Sequence, residues 1–270
     1  MLVSLQENAR AWLQSGRPAV LVQVSETRGS VPRETGTRML VSANEVLGTV
    51  GGGHLELQAI ASAREMLAAG ALAPHSVHYA LGPALGQCCG GAMTLLFERL
   101  HSTHLTDWPA RAPRFHLQLY GAGHVGRAVA RLLATLPVQV DWIDEREDEF
   151  PATLGVQGWP AHITKLAVDA VEGEVRHAPP GAFYLVLTHR HDLDQRITEA
   201  VLRRGDFRFL GLIGSRTKKQ KFVHRFQATG FAPELIDRIT CPIGAPGIAG
   251  KEPEVIAVAV VAQLLQQSTA

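Results

Sequence analysis

Cysteine is scarce in this chain: 270 residues hold three, and two of them are adjacent as Cys88-Cys89. An odd count with one adjacent pair does not make a disulfide framework, so reduced thiols and a cytoplasmic setting are expected. Surplus charge is scarce as well. A formal net charge of +1 and a pI near 7.9 remove any general electrostatic case for nucleic acid or an anionic membrane as partner. The first residues lack a basic segment followed by an apolar one, so no signal peptide is expected. The longest C-terminal apolar run, Val255 to Leu265, is too short to span a bilayer and suits a buried helix.

What is present is enough for a substantial core. Hydrophobic residues make up 46% of the chain and charged residues 19%, a balance typical of a folded globular protein. The length allows one large or two modest domains. The polar, proline-containing stretch 101–114 is the best linker candidate. It divides residues 1–110, an N-terminal mixed α/β domain with a cysteine loop, from residues 111–270, a C-terminal Rossmann-like domain with a parallel sheet.

The C-terminal assignment rests on Phe115 to Gly126. An apolar-alternating run feeds into Gly121-Ala122-Gly123-His124-Val125-Gly126, and helix-period apolar positions follow. In a G-x-G-x-x-G turn, Gly121 permits the tight bend, Gly123 lets a pyrophosphate approach the backbone, and Gly126 lets the helix pack on the strand. The amides at the helix start favour a phosphate. A second strand-like run, Val138 to Ile143, ends in Asp144, about where a ribose-binding acid is expected. Arg146 is placed to receive a 2′-phosphate instead, so preference between NAD and NADP stays open. Further on, Ala182 to Thr188 is a continuous apolar run suited to a parallel sheet. It ends in His189-Arg190-His191-Asp192-Leu193-Asp194, at the edge where open α/β sheets bind ligands. His189 is a ligand or acid/base candidate there, and Asp194 is read as a cap for the next helix.

In the N-terminal half, Ala19 to Val24 reads as a buried strand, followed by a long polar loop, Ser25 to Arg38. A hairpin around Ala43-Asn44 then leads into Gly51-Gly52-Gly53-His54-Leu55-Glu56 and a helix. Three glycines before a helix are either an anion nest or a tight turn needing unusual dihedrals, and the two readings carry equal weight. His54 and Glu56, two apart, do not share a helix face, which speaks against a metal pair. The loop Gly82 to Gly91 holds Cys88 and Cys89. One exposed thiolate is a good soft ligand or sulfur carrier, and a structural role for at least one thiol is the other reading.

Several of these stretches together resemble the XdhC/CoxI family, accessory proteins of molybdenum-containing xanthine dehydrogenases, and look closest to its XdhC branch. The matching pieces are Gly29-Ser30-Val31-Pro32-Arg33, Gly48 to Glu56, Leu85 to Gly91, Tyr120 to Gly126, Thr188 to Asp194, Leu212 to Arg216, and Cys241 to Pro253. The resemblance implies a protein that binds the molybdenum cofactor (molybdopterin), supports its sulfuration by a cysteine desulfurase and delivers it to apo-xanthine dehydrogenase, without turnover of its own. It implies contact between molybdenum and Cys88 or Cys89. The implied cofactor-binding set adds Gly51, Gly52, Gly53, His54, Gly121, Gly123, His124, Gly126, Asp144 and His189, and leaves room for a homo-oligomer. The rival is an NAD(P)-dependent oxidoreductase or a nucleotide-sensing module, because this fingerprint most often holds a dinucleotide.

Overall fold

A computed structural model describes residues 5–81, 90–108, 112–154 and 158–269. The chain divides into two compact units, Val3–Ala110 and Arg111–Ala270.

In the first unit, helix α1 (Leu5–Gln14) ends at Gly16 and precedes β1 (Ala19–Arg28), β2 (Arg38–Ser42) and β3 (Val46–Gly48). Helix α2 (Gly53–Ala68), β4 (His75–Ala80), β5 (Ala92–Arg99) and the short α3 (Thr103–Thr106) follow. All pairings are antiparallel, in the order β3-β2-β1-β5-β4. Both faces of this sheet are covered. Val20, Val22, Met39 and Phe97 pack with Leu55, Ala59, Ala63 and Met66 of α2, whose spacing puts them on one helix face. Leu21 and Leu40 pack with Ala9 and Trp12 of α1 and Leu100. Burial on both sides explains why β1 opens as an unbroken apolar run instead of an alternating one.

Two expectations change here. Strand β1 continues to Arg28, because β5 supplies partners as far as Ala92, so the polar loop is shorter than its composition suggests. The expected linker carries α3, and Trp108 lies under the Arg38 guanidinium at 4.6 Å.

The second unit runs β6 (His116–Tyr120), α4 (His124–Leu133), β7 (Gln139–Asp144), β8 (Ile163–Ala167), β9 (Phe183–Val186), α5 (His191–Arg204) and β10 (Phe209–Leu212). It closes with α6 (Arg216–Ala228), α7 (Pro233–Asp237), β11 (Ile239–Thr240) and α8 (Pro253–Thr269). The six strands are parallel, in the order β11-β10-β9-β6-β7-β8. Counted from β6 this is the doubly wound order of a Rossmann fold, with its switch point between β6 and β9. Leu117, Leu119 and Leu185 face the layer containing α4 and α8. Tyr120, Tyr184 and Val186 face the α5–α6–α7 layer. Gln118 is fully buried in the central strand because its amide donates to Glu174 O and accepts from the Tyr120 hydroxyl, both at 2.8 Å.

Strand β8 falls in a stretch with no clear apolar period. As an edge strand it is mostly exposed, so little burial pattern was there to read. No helix among the described residues is long and apolar enough to cross a membrane.

Candidate functional site

The three glycines after β6 meet three different physical demands. Gly121 has φ +114°, and a Cβ there would stand 2.5 Å from Leu187 O, so the turn lies directly over the end of β9. At Gly126 a Cβ would stand 2.0 Å from Gly121 O, which makes this the helix-to-strand contact. At Gly123, the N-cap of α4, a Cβ would meet nothing within 4 Å. That open position beside the first helical amides is where a phosphate can approach the backbone. Trp142 Nε1 holds the turn from below by donating to Gly121 O at 3.0 Å. His124 opens α4 and is exposed.

Asp144 stands at the end of β7, yet both its oxygens are engaged within the chain. Oδ2 accepts from Ala122 N at 2.6 Å and from Arg146 Nη2 at 3.0 Å. Oδ1 accepts from Arg146 N at 2.9 Å and Nε at 3.0 Å. The side chain is 3% exposed. Burial alone would push this carboxyl up, but the Arg146 guanidinium and the Ala122 and Arg146 amides outweigh it and hold it below the usual carboxylate range. In this structure Asp144 therefore fixes the glycine turn. Arg146 also pairs with Glu149, which in turn pairs with Arg127 of α4. Glu145, Glu147 and Glu149, which follow β7, are thus held by ion pairs.

Across the switch point, His189 Nε2 lies 3.7 Å from Glu145 Oε1, and Arg190 Nη1 reaches the same oxygen at 3.5 Å. Tyr120, Asp144, Glu145, Thr188, His189 and Leu193 line the crevice between these elements, which is closed to a water molecule as it stands. Burial pushes the Tyr184 hydroxyl up to about 12 and the Tyr120 hydroxyl well above its ordinary value, so neither is a proton shuttle at neutral pH.

Asp194 does not cap α5. Its Oδ1 accepts from Thr188 N at 3.1 Å and Thr188 Oγ1 at 2.6 Å, and its Oδ2 pairs with Lys218 Nζ at 2.5 Å. Lys218 also donates to Ile213 O at 2.8 Å, and a Cβ on Gly214 would run into its side chain at 2.5 Å. The 1%-exposed Asp194 thus ties the end of β9 to the start of α6. Ser215 does cap α6, accepting from Lys218 N at 3.2 Å.

In the N-terminal unit, Gly51, Gly52 and Gly53 all have positive φ, at 142°, 76° and 62°. A Cβ on Gly51 would stand 2.6 Å from Pro32 Cγ, so the tight-turn demand is real. The anion receptor is partly filled from within: Glu56 Oε2 accepts from Val50 N at 3.1 Å, Gly52 N at 3.2 Å and the Thr49 hydroxyl. A carboxylate reaching back over a helix start is a relative of the capping box, and that spacing was legible in Gly-Gly-Gly-His-Leu-Glu. His54 Nε2 faces Gln58 Nε2 at 3.1 Å, apart from Glu56. Cys88 and Cys89 lie outside the described residues. The stem of their loop is described: Leu81 N donates to Gly91 O at 2.8 Å, and a Cβ on Gly91 would stand 2.3 Å from Ser30 O. Three glycine-bearing motifs therefore share one end of the antiparallel sheet. Among the described residues no group of three or more His, Cys, Asp or Glu could hold a metal ion.

Comparison with known proteins agrees with this architecture. The Escherichia coli K12 protein described as uncharacterized protein YqeB is 30% identical over 261 residues, covering 92% of this chain and 43% of its own length. The chain thus spans less than half of that relative. A crystal structure described as a xanthine dehydrogenase from Bacillus halodurans has a TM-score of 0.76, covering 97% of this chain and 95% of that one at 20% identity. That is a likeness of fold. The model of the XdhC Rossmann domain matches residues 117–264, more than half of the chain, and the model of the XdhC and CoxI family matches residues 12–80. The chain belongs to the XdhC and CoxI family.

Proposed function

We propose that this protein serves the maturation of a xanthine dehydrogenase: it binds the molybdenum cofactor, keeps it while a cysteine desulfurase supplies the terminal sulfur, and passes it to the apo-enzyme. The observation that carries the reading is the match of both halves to one family, the N-terminal domain as well as the Rossmann domain. A nucleotide-binding domain alone would not call for the first unit.

The chemistry of the site is compatible with such a cargo. The open position at Gly123, beside the α4 amides, suits the phosphate of the pterin. A soft, sulfur-ligated metal suits a thiolate, which gives Cys88 or Cys89 its role. The dehydrogenase alternative needs Asp144 to accept a ribose hydroxyl, and both of its oxygens already have protein partners.

The test is to purify the protein from a cofactor-producing host and assay released pterin and molybdenum. Near-stoichiometric release is expected, reduced by Cys88→Ala or Cys89→Ala, whichever thiol touches the metal. Absence of pterin together with tight NADH binding and hydride transfer overturns the reading.

A further inference from the structure

Helix α6 breaks two local rules at once. Its sequence, RTKKQKFVHRFQA, holds five Lys or Arg and one His and no acid. Its first turn carries Arg216, Lys218 and Lys219 with no acidic residue, although the positive end of a helix dipole disfavours cations there. Like charges four residues apart, as in Lys221 and Arg225, repel one another on a helix surface. Neighbouring α5 behaves differently. Its Arg196, Arg203 and Arg204 pair with Glu172, Glu199 and Asp206. On α6 only the inward Lys218 is neutralised, by Asp194. Arg216, Lys219, Lys221, His224 and Arg225 have no ion-pair partner among the described residues. Local rules that a chain breaks without internal compensation mark sites kept for something outside the fold.

The geometry of the helix narrows what that is. Phe222 and Phe226 anchor it to the core. Arg216, Lys219, Gln220, Val223, His224 and Gln227 line a shallow groove of about 400 Å³, at the i, i+3, i+4, i+7 spacing of one helix stripe. The stripe is roughly 16 Å long at ~1.5 Å per residue, with an apolar residue at its middle and amides beside the cations. A short mixed stripe of this kind fits a protein surface better than a long uniform polyanion. It also begins at the carboxyl edge of the parallel sheet, where α6 leaves β10 beside the Thr188–Asp194–Lys218 cluster.

We infer that the exposed stripe of α6 is a docking surface for an acidic face of the enzyme that receives the cargo. The inference rests on the carrier reading above and adds the surface and its charge. A partner seated on α6 lies next to the ligand-binding edge of the same unit, so docking and transfer share one end of the sheet.

The experiment uses the full chain and the purified apo-form of the recipient dehydrogenase, with affinity measured at about 50 and about 300 mM NaCl. The variant is Arg216→Gln/Lys219→Gln/His224→Gln, the cations and the histidine of the stripe, with its melting temperature recorded. Wild-type affinity should fall at least about tenfold with salt. The variant should melt no lower than wild type, bind the enzyme at least about tenfold more weakly at low salt, lose the salt dependence and keep its bound pterin. Equal binding by variant and wild type makes the stripe a solvated face and overturns the inference. So does failure of the wild type to bind the enzyme, or preferential binding of duplex DNA or anionic vesicles through these residues. Failure of the carrier reading shows separately, as absence of pterin from wild-type protein that still docks.

Discussion

Two strand–glycine–helix turns of the chain, at Gly51–Gly53 and Gly121–Gly126, handle the same electrostatic problem in different ways. At Gly51–Gly53 the carboxylate that satisfies the turn comes from the helix itself, four residues past the N-cap, and it occupies the amides of Val50 and Gly52. At Gly121–Gly126 the carboxylate comes from Asp144 on the neighbouring strand and occupies Ala122 N, beneath the turn. The side that faces away from the sheet, at Gly123, stays open. The lesson concerns where a counter-charge sits. Supplied from below, it rigidifies a phosphate cradle and leaves its mouth free. Supplied from the helix's own first turns, it fills part of the receptor.

The strongest way to break this comparison is at the glycines themselves. Gly126→Ala places a Cβ against backbone that cannot rotate away, so the variant should lose about 3 kcal/mol of stability in denaturant unfolding. Gly123→Ala, in open space at φ −68°, should stay within about 0.5 kcal/mol of wild type while weakening retention of the phosphorylated pterin. Equal damage from both would mean that Gly123 is only another packing glycine.

Asp144→Asn comes next. Removing the charge that four donors converge on should cost about 2 kcal/mol. The sign of the pH dependence follows from the depressed folded pKa. The Asp144 contribution is fully present above its unfolded value near ~3.9 and is lost as pH falls through the lower folded value. Urea midpoints measured from neutral pH down to about 2 should show wild type and variant converging below pH ~4. Parallel curves would exclude Asp144 as the lock of the turn.

Glu56→Ala is the smallest of the three expected losses of stability, after Gly126→Ala and Asp144→Asn, at about 1 kcal/mol, comparable with loss of a helix cap. Its value lies in the readout. If the N-terminal turn is an anion receptor in its own right, the vacated amides of Val50 and Gly52 should make the variant, and not wild type, gain melting temperature in millimolar phosphate. No gain in the variant leaves the three glycines with a conformational role alone.

Much of the fold was legible because it rests on local signals. The apolar runs of β1, β6 and β9 and the helix period after Gly126 all depend on neighbours along the chain. Strand β8 was not, since an exposed edge strand carries little burial pattern. The site was legible in its glycines and less so in its charges. The sequence alone determined that a strand, a G-x-G-x-x-G turn and a helix would follow one another at Tyr120–Gly126, because tight bends, close approach and helix packing each demand a missing side chain. It also placed Asp144 and His189 at strand ends. Only the tertiary structure decided what those groups are free to do. Asp144 is drawn under the turn by Arg146 and Ala122, and Asp194 crosses to Lys218 instead of capping its own helix. A carboxylate takes whichever donors the packed strands bring within reach, and that depends on residues distant in the chain.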